Sequence, residues 1–99
     1  MSSAGHGAAR VVELLHANRK TICTAESLTG GELASALVDI AGASAVFAGG
    51  VTTYSLEAKR AVLGFSETEL VDGAVSAEVA TYMAQRVRKL FGTDYALST

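Results

Sequence analysis

An α/β domain is predicted, a layered α/β/α arrangement around a mostly parallel sheet, and three observations predict it. Helix-period and strand-like stretches alternate along the 99 residues, a length that suits one domain. The strand-like stretches are separated by helical ones, so neighbouring strands need crossover connections, which favours parallel pairing. Hydrophobic residues make up 49% of the chain and mean hydropathy is +0.32, a globular profile rather than that of a disordered polymer.

The elements follow in order. Residues 1–7 are Gly- and Ser-rich and are expected to be unstructured. Val11, Val12, Leu14 and Leu15, with the alanines before them, suggest a helix over 8–17, ended by Asn18-Arg19-Lys20. A short buried strand over 21–24 comes next. Leu33, Ala34, Leu37, Val38 and Ala41 recur at three- and four-residue spacing, which marks a helix over 32–41 with one apolar stripe and Gly42 as its terminator. Residues 45–54 are β-rich, and the pair Gly49-Gly50 inside them points to a bulge or to close approach by another group. Ser55 is placed to cap a helix over 56–63 that Gly64 stops, and 66–71 suggest a further helical turn. Ser76 caps a longer helix running to Phe91, with Val79, Ala80, Met83, Val87 and Leu90 on one face and Gly92 at its end. A last strand covers 94–98. Three strands make a small sheet, so part of a larger domain, or completion by a second subunit, is expected.

Composition narrows the function classes. The formal net charge is −2, and the basic residues are scattered apart from Arg86, Arg88 and Lys89, which suit the solvated last turns of a helix. Nucleic-acid binding by a broad basic face is therefore disfavoured. The single cysteine, Cys23, excludes an intrachain disulfide and reads as a small core residue. No apolar run is long enough to span a bilayer and no secretion signal is visible, so a cytoplasmic protein without membrane partners is the default expectation.

The stretch Thr24-Ala25-Glu26-Ser27-Leu28-Thr29-Gly30-Gly31 carries the chemistry. It sets Ser27 at a strand-to-helix turn, where free backbone N–H groups bind anions and could stabilise an oxyanion. Ser27 is thus a nucleophile or part of a phosphate site. The stretch lacks the spacing of a P-loop, a Rossmann fingerprint or a Gly-x-Ser-x-Gly elbow; a helix cap with glycines for close packing is the bland alternative. His6 and His16 are poorly placed to activate a serine, and two distant histidines with one strand cysteine do not form a metal site. Lys59 is the basic residue best placed to serve, with Tyr54 as a relay or hydrogen-bond donor. Both follow the glycine-rich strand and could face the carboxyl end of the sheet where Ser27 lies. Read without further information, a surface lysine and a packed tyrosine are the commoner explanation.

Thr24–Gly31, then Gly42-Ala43-Ser44, then Gly49-Gly50-Val51 with Tyr54-Ser55 and Lys59, then Gly73-Ala74-Val75-Ser76 with Met83-Ala84, together resemble the CinA C-terminal domain family, over almost the whole chain. Members of that family include nicotinamide-nucleotide amidases, which hydrolyse the carboxamide of nicotinamide mononucleotide to nicotinate mononucleotide and ammonia in pyridine-nucleotide recycling. The domain also occurs fused to a second one in competence- and damage-inducible proteins. The resemblance implies Ser27 as nucleophile, Lys59 as its base and Tyr54 as an aid to proton transfer. It places Thr29, Gly30 and Gly31 by the oxyanion or substrate, and Ser44 in the pocket lining. It implies no cofactor and no metal, and a nucleotide as small-molecule substrate; the exposed edge of so small a sheet favours a homo-oligomer. Leu28 stands where the family often has cysteine. The family continues past the position of Thr99 with a Thr-Gly-x-Ala-Gly-Pro segment and further strands that help form the pocket. A catalytically incomplete module that self-associates or binds a nucleotide is therefore the competing expectation, and a DNA-binding module is a third that the acidic charge opposes.

Overall fold

A computed structural model of the chain describes residues 3–71 and 73–99. Seven main elements follow one another: α1 (Ser3–Asn18), β1 (Ile22–Glu26), α2 (Glu32–Val38), β2 (Phe47–Thr52), α3 (Leu56–Leu63), α4 (Ala77–Phe91) and β3 (Tyr95–Ser98), with single 3-10 turns at Ala43–Ala45 and Thr68–Leu70. The sheet order is β2-β1-β3, and both pairings are parallel. The fold class expected from the sequence is the one observed. Of the stretch 1–7, residues 1 and 2 lie outside the described residues, and α1 already begins at Ser3 rather than at Ala8. The buried Ala8 and Val12 sit one turn apart and anchor that end of the helix.

Alternation along β1 explains the two layers. Ile22 packs on one face with Ala8, Val12, Leu15, Leu37 and Val46, the α1/α2 side. Cys23 and Ala25 pack on the other with Leu63, Phe65, Val79, Met83 and Val87, the α3/α4 side. All five β1 residues are buried, as a central parallel strand requires. Cys23 is the core residue the sequence suggests, and its sulfur accepts from the Thr93 hydroxyl at 3.0 Å.

Three boundaries differ from the sequence reading, each for a tertiary reason. β1 runs two residues past Thr24, because Ala25 pairs with Val51 and Ser98 while Glu26 pairs with Thr52. α2 stops at Val38 rather than Ala41, and the chain turns through Ile40 N–H to Leu37 carbonyl before Gly42 opens the 3-10 turn. Ala45 belongs to that turn, and Thr53 and Tyr54 leave the strand, although Thr53 N–H still donates to the Glu26 carbonyl at 2.8 Å. The cap assignments hold: the Ser55 and Ser76 hydroxyls accept from Ala58 N–H and Val79 N–H, and Gly64 and Gly92 end α3 and α4.

The glycine pair does both things expected of it. The β1–β2 register slips between Ile22 and Cys23, which is the bulge. A Cβ at Gly50 would lie 2.0 Å from Thr24 Oγ1 and 3.0 Å from the Thr24 carbonyl oxygen, both in the sheet interior. Gly50→Ala is accordingly expected to destabilise the fold by about 1–3 kcal/mol, measured as a lower denaturant midpoint with an unchanged slope.

The basic cluster divides. Arg88 and Lys89 occupy the last turn of α4 and are exposed, as expected. Arg86 is instead half-buried: its guanidinium lies 4.4 Å over the Phe65 ring and pairs with Glu69 in a two-pronged contact. The Arg86 hydrogen bonds hold the Glu69 carboxyl at about 2, well below its ordinary 4.5. A carboxylate depressed in the folded state contributes stability that is present above 4.5 and lost as pH falls toward 2. Comparing acid unfolding of the native chain and Arg86→Ala should show this loss only in the former; equal acid sensitivity would contradict it.

Candidate functional site

Ser27 follows the last residue of β1, at the carboxyl end of the sheet. Its N–H donates to the Thr99 carbonyl at 3.0 Å, and its own carbonyl accepts from Gly30 N–H at 3.1 Å, closing a tight turn. The turn reaches α2 through Gly30 and Gly31, whose φ angles of 63° and 114° lie in the left-handed region. A Cβ at Gly30 would meet nothing within 4 Å and one at Gly31 only Thr52 Oγ1 at 3.7 Å, so these glycines serve backbone conformation rather than the close packing of the bland alternative.

Lys59 comes to Ser27 from the next crossover. The Ser55 cap starts α3 immediately after β2, and Lys59 and Leu63, one turn apart, are its buried face. Lys59 is fully buried. Its Nζ donates to Ser27 Oγ at 2.7 Å, to the Thr53 carbonyl at 2.5 Å and to the Tyr54 carbonyl at 3.4 Å. Among the described residues no carboxylate forms an ion pair with it. Burial therefore pushes its pKa below the ordinary 10.5, because the charged form has lost water without gaining a counter-charge. The two carbonyls take two N–H groups of the amine; in neutral Lys59 the lone pair then faces Ser27, whose hydroxyl becomes the donor across the same 2.7 Å. Nucleophile and base within hydrogen-bond reach, the base oriented by further groups, is the geometry of an activated serine.

The amides around the turn divide sharply. Leu33 N–H and Ala34 N–H, in the first turn of α2, donate to the Glu26 carboxylate at 2.7 and 2.9 Å. The helix terminus that would suit a phosphate is thus occupied by the chain's own carboxylate, which weakens the phosphate-site reading of Ser27. Leu28 N–H and Thr29 N–H have no partner among the described contacts and directly follow the serine. Unpartnered backbone N–H groups beside a serine are the kind of donor an oxyanion requires.

The other expected site residues are placed as follows. The Thr29 hydroxyl is committed inward, to Glu26 at 2.7 Å and to the Thr99 hydroxyl at 2.6 Å, so only its backbone remains for a substrate. Gly30 and Gly31 line the turn without facing Lys59 through any described contact. Tyr54 joins through its carbonyl; its phenol makes no described hydrogen bond, and the residue is 74% exposed. Ser44 is not at this site. It sits before β2, at the amino end of a sheet whose carboxyl end carries Ser27, roughly 15 Å away at the rise of a parallel strand. The sequence passed over two members. Glu26 is buried at 1% exposure next to Ser27 in the chain, and Thr53 supplies the closest carbonyl to Lys59. A glutamate ending an apolar strand was the available signal for the first; a backbone acceptor leaves none. Among the described residues no group of three His, Cys, Asp or Glu side chains could hold a metal ion, and no helix is long and apolar enough to cross a membrane.

The chain is similar to known proteins in sequence and in fold. The family model for the CinA C-terminal domain matches residues 6–99. A competence-damage inducible protein of Thermoanaerobacter sp. (strain X514) is 50% identical over 90 residues, covering 90% of this chain and 22% of that protein. A CinA-like protein of Desulfovibrio desulfuricans is 49% identical over 88% of this chain and 21% of its own length. Among solved structures, the competence/damage inducible protein CihA from Agrobacterium tumefaciens superposes with a TM-score of 0.94 at 35% identity, covering 99% of this chain and 60% of that one. The competence damage-inducible protein A from Klebsiella pneumoniae gives 0.93 at 37% identity, with 98% and 61% covered. The chain spans about a fifth of these curated relatives and about three fifths of the solved chains. By the family match along 6–99 and the shared fold, it belongs to the CinA C-terminal domain family.

Proposed function

We propose that the domain is a serine–lysine amidohydrolase acting on the carboxamide of nicotinamide mononucleotide. The observation that carries this reading is the 2.7 Å contact between a fully buried, carboxylate-free lysine and a serine at a strand-to-helix turn. In the proposed step, Lys59 takes the Ser27 hydroxyl proton as Oγ attacks the carboxamide carbon. Leu28 N–H and Thr29 N–H receive the oxyanion. The C–N bond breaks, Lys59 returns the proton to the departing ammonia, and water then hydrolyses the ester to nicotinate mononucleotide and free Ser27. The Thr53 and Tyr54 carbonyls stabilise the ammonium formed midway. Tyr54 assists proton transfer by resemblance to the family; its exposed phenol reaches that role only by turning toward a bound substrate. No cofactor enters this scheme, and its setting is cytoplasmic nucleotide recycling. Ammonia release from nicotinamide mononucleotide tests it, with Ser27→Ala as control.

A second reading is favoured by the edge strand β3. Among the described residues its outer edge is unpaired, and Tyr95 and Leu97 are 54% and 40% exposed on the α1/α2 side. An open groove of about 810 Å³ bordered by Val11, Ala36, Ile40 and Leu97 adjoins it. A self-associating or nucleotide-binding module without turnover would use this face. It predicts concentration-dependent sedimentation and no ammonia release, whereas the first reading requires release.

A further inference from the structure

We propose that Glu26 is a positioning residue for Ser27, an inference that rests on the Ser27–Lys59 reading above. The N-cap residue of helix α2 is Gly31, which has no side chain to cap it. The cap comes instead from the residue before the serine. Glu26 Oε1 accepts from Leu33 N–H and from the Thr29 hydroxyl, each at 2.7 Å, and Oε2 accepts from Ala34 N–H at 2.9 Å. Since the Thr29 proton goes to the carboxylate, the Thr99 hydroxyl is the donor in the 2.6 Å contact between the two threonines. The side chain of residue 26 thus closes a ring through residues 33 and 34, and the turn bearing Ser27 lies inside that ring.

The backbone of Glu26 closes the other side. Its carbonyl accepts from Thr53 N–H, and the Thr53 carbonyl accepts from Lys59 Nζ. One residue therefore fixes Ser27 against α2 by its side chain and against the Lys59 support by its main chain. The carboxylate is charged despite its burial. Burial alone would raise its pKa, but the Thr29 hydroxyl and the amides of Ala34, Leu33 and Gly31 together bring it below 4.5. It neutralises a helix terminus and forms no described contact with Lys59, whose amine is reached from α3. Glu26 acts on where Ser27 stands and not on how readily Lys59 loses its proton.

That separation makes the role testable. Ser27 phosphonylation by a serine-directed fluorophosphonate, in which Oγ bonds to phosphorus and fluoride leaves, is followed by intact mass across pH for the native chain, Glu26→Gln and Glu26→Asp. Amide exchange at Leu33 and Ala34 is measured alongside. A glutamine amide presents N–H to donors that need an acceptor, so Glu26→Gln is expected to slow phosphonylation at the high-pH plateau about 10- to 100-fold. The midpoint of the pH profile stays where it is, and exchange at the two amides accelerates. Glu26→Asp, which keeps the charge on a shorter stem, shows both effects in smaller degree and stands in if the glutamine variant does not fold. Arg86→Ala, whose described partners are Leu63, Phe65, Glu69 and Tyr82 and none in the turn, loses stability without slowing phosphonylation. Native-rate phosphonylation in Glu26→Gln, or a shifted midpoint that accounts for the whole loss, would overturn the proposal. Absence of phosphonylation in the native chain sinks the nucleophile reading instead; unchanged exchange at Leu33 and Ala34 then overturns the Glu26 clamp by itself.

Discussion

Ser27→Ala is expected to reduce ammonia release from nicotinamide mononucleotide by at least about 1,000-fold, since a missing nucleophile leaves only binding and oxyanion donors to act. Lys59→Met should lose as much, because Ser27 has no other base among its described contacts. The double variant should be no worse than either single one. Residues that work as a unit are not additive, and independent contributions would instead multiply. The substitutions leave the turn itself in place, because the Ser27 N–H and carbonyl bonds are backbone ones. A melting curve near the native one, with turnover gone, is the combination the proposed chemistry requires. Undiminished turnover in Ser27→Ala would remove the nucleophile assignment.

The turnover rate is expected to climb with pH through the Lys59 pKa, at a midpoint below 10.5. The direction follows from the base being the neutral form, which accumulates above that pKa. Stability should follow the same window. Between the lowered folded value and the ordinary one, the unfolded chain holds a proton that the folded chain has released. Stability therefore rises with pH across the window, and the cost of a buried charge is carried below it. Lys59→Met removes the titrating group, so the difference in denaturant midpoint between it and the native chain should change with pH in that window alone. A difference that is flat from neutral pH to 10.5 would mean that Lys59 is not perturbed.

Much of this was visible in the residues. Capping serines at 55 and 76, terminating glycines at 64 and 92, and the apolar stripe of Val79, Met83 and Val87 signal their helices because each acts within its own element. The buried strand around Cys23 signals the sheet for the same reason. The strand ends were not legible, because Ala25 and Glu26 are held in β1 by partners some 25 and 70 residues away in sequence. Arg86 reads as one of three solvated cations until Phe65 and Glu69 are brought under it. At the site, the residues point to Ser27 and Lys59, and the fold brings their side chains to 2.7 Å. The burial of the lysine among carbonyls, on which its proposed role depends, is a property of the packed fold that no local pattern carries. Ser44 shows the opposite case. Its short motif resembles the family's, yet the direction of β2 carries it to the far end of the sheet. The helix-terminus argument for a phosphate site is weakened by one side chain, since Glu26 reaches the Leu33 and Ala34 amides first.

The central claim is that Lys59 makes Ser27 a nucleophile, and covalent labelling tests it most directly. The native chain is treated with a fluorophosphonate at a pH above the labelling midpoint, and the adduct is located by peptide mass. The account predicts one adduct, on Ser27, and its loss in Lys59→Met with the fold retained. An adduct on another residue, or labelling of Ser27 that persists at the native rate without Lys59, would contradict it.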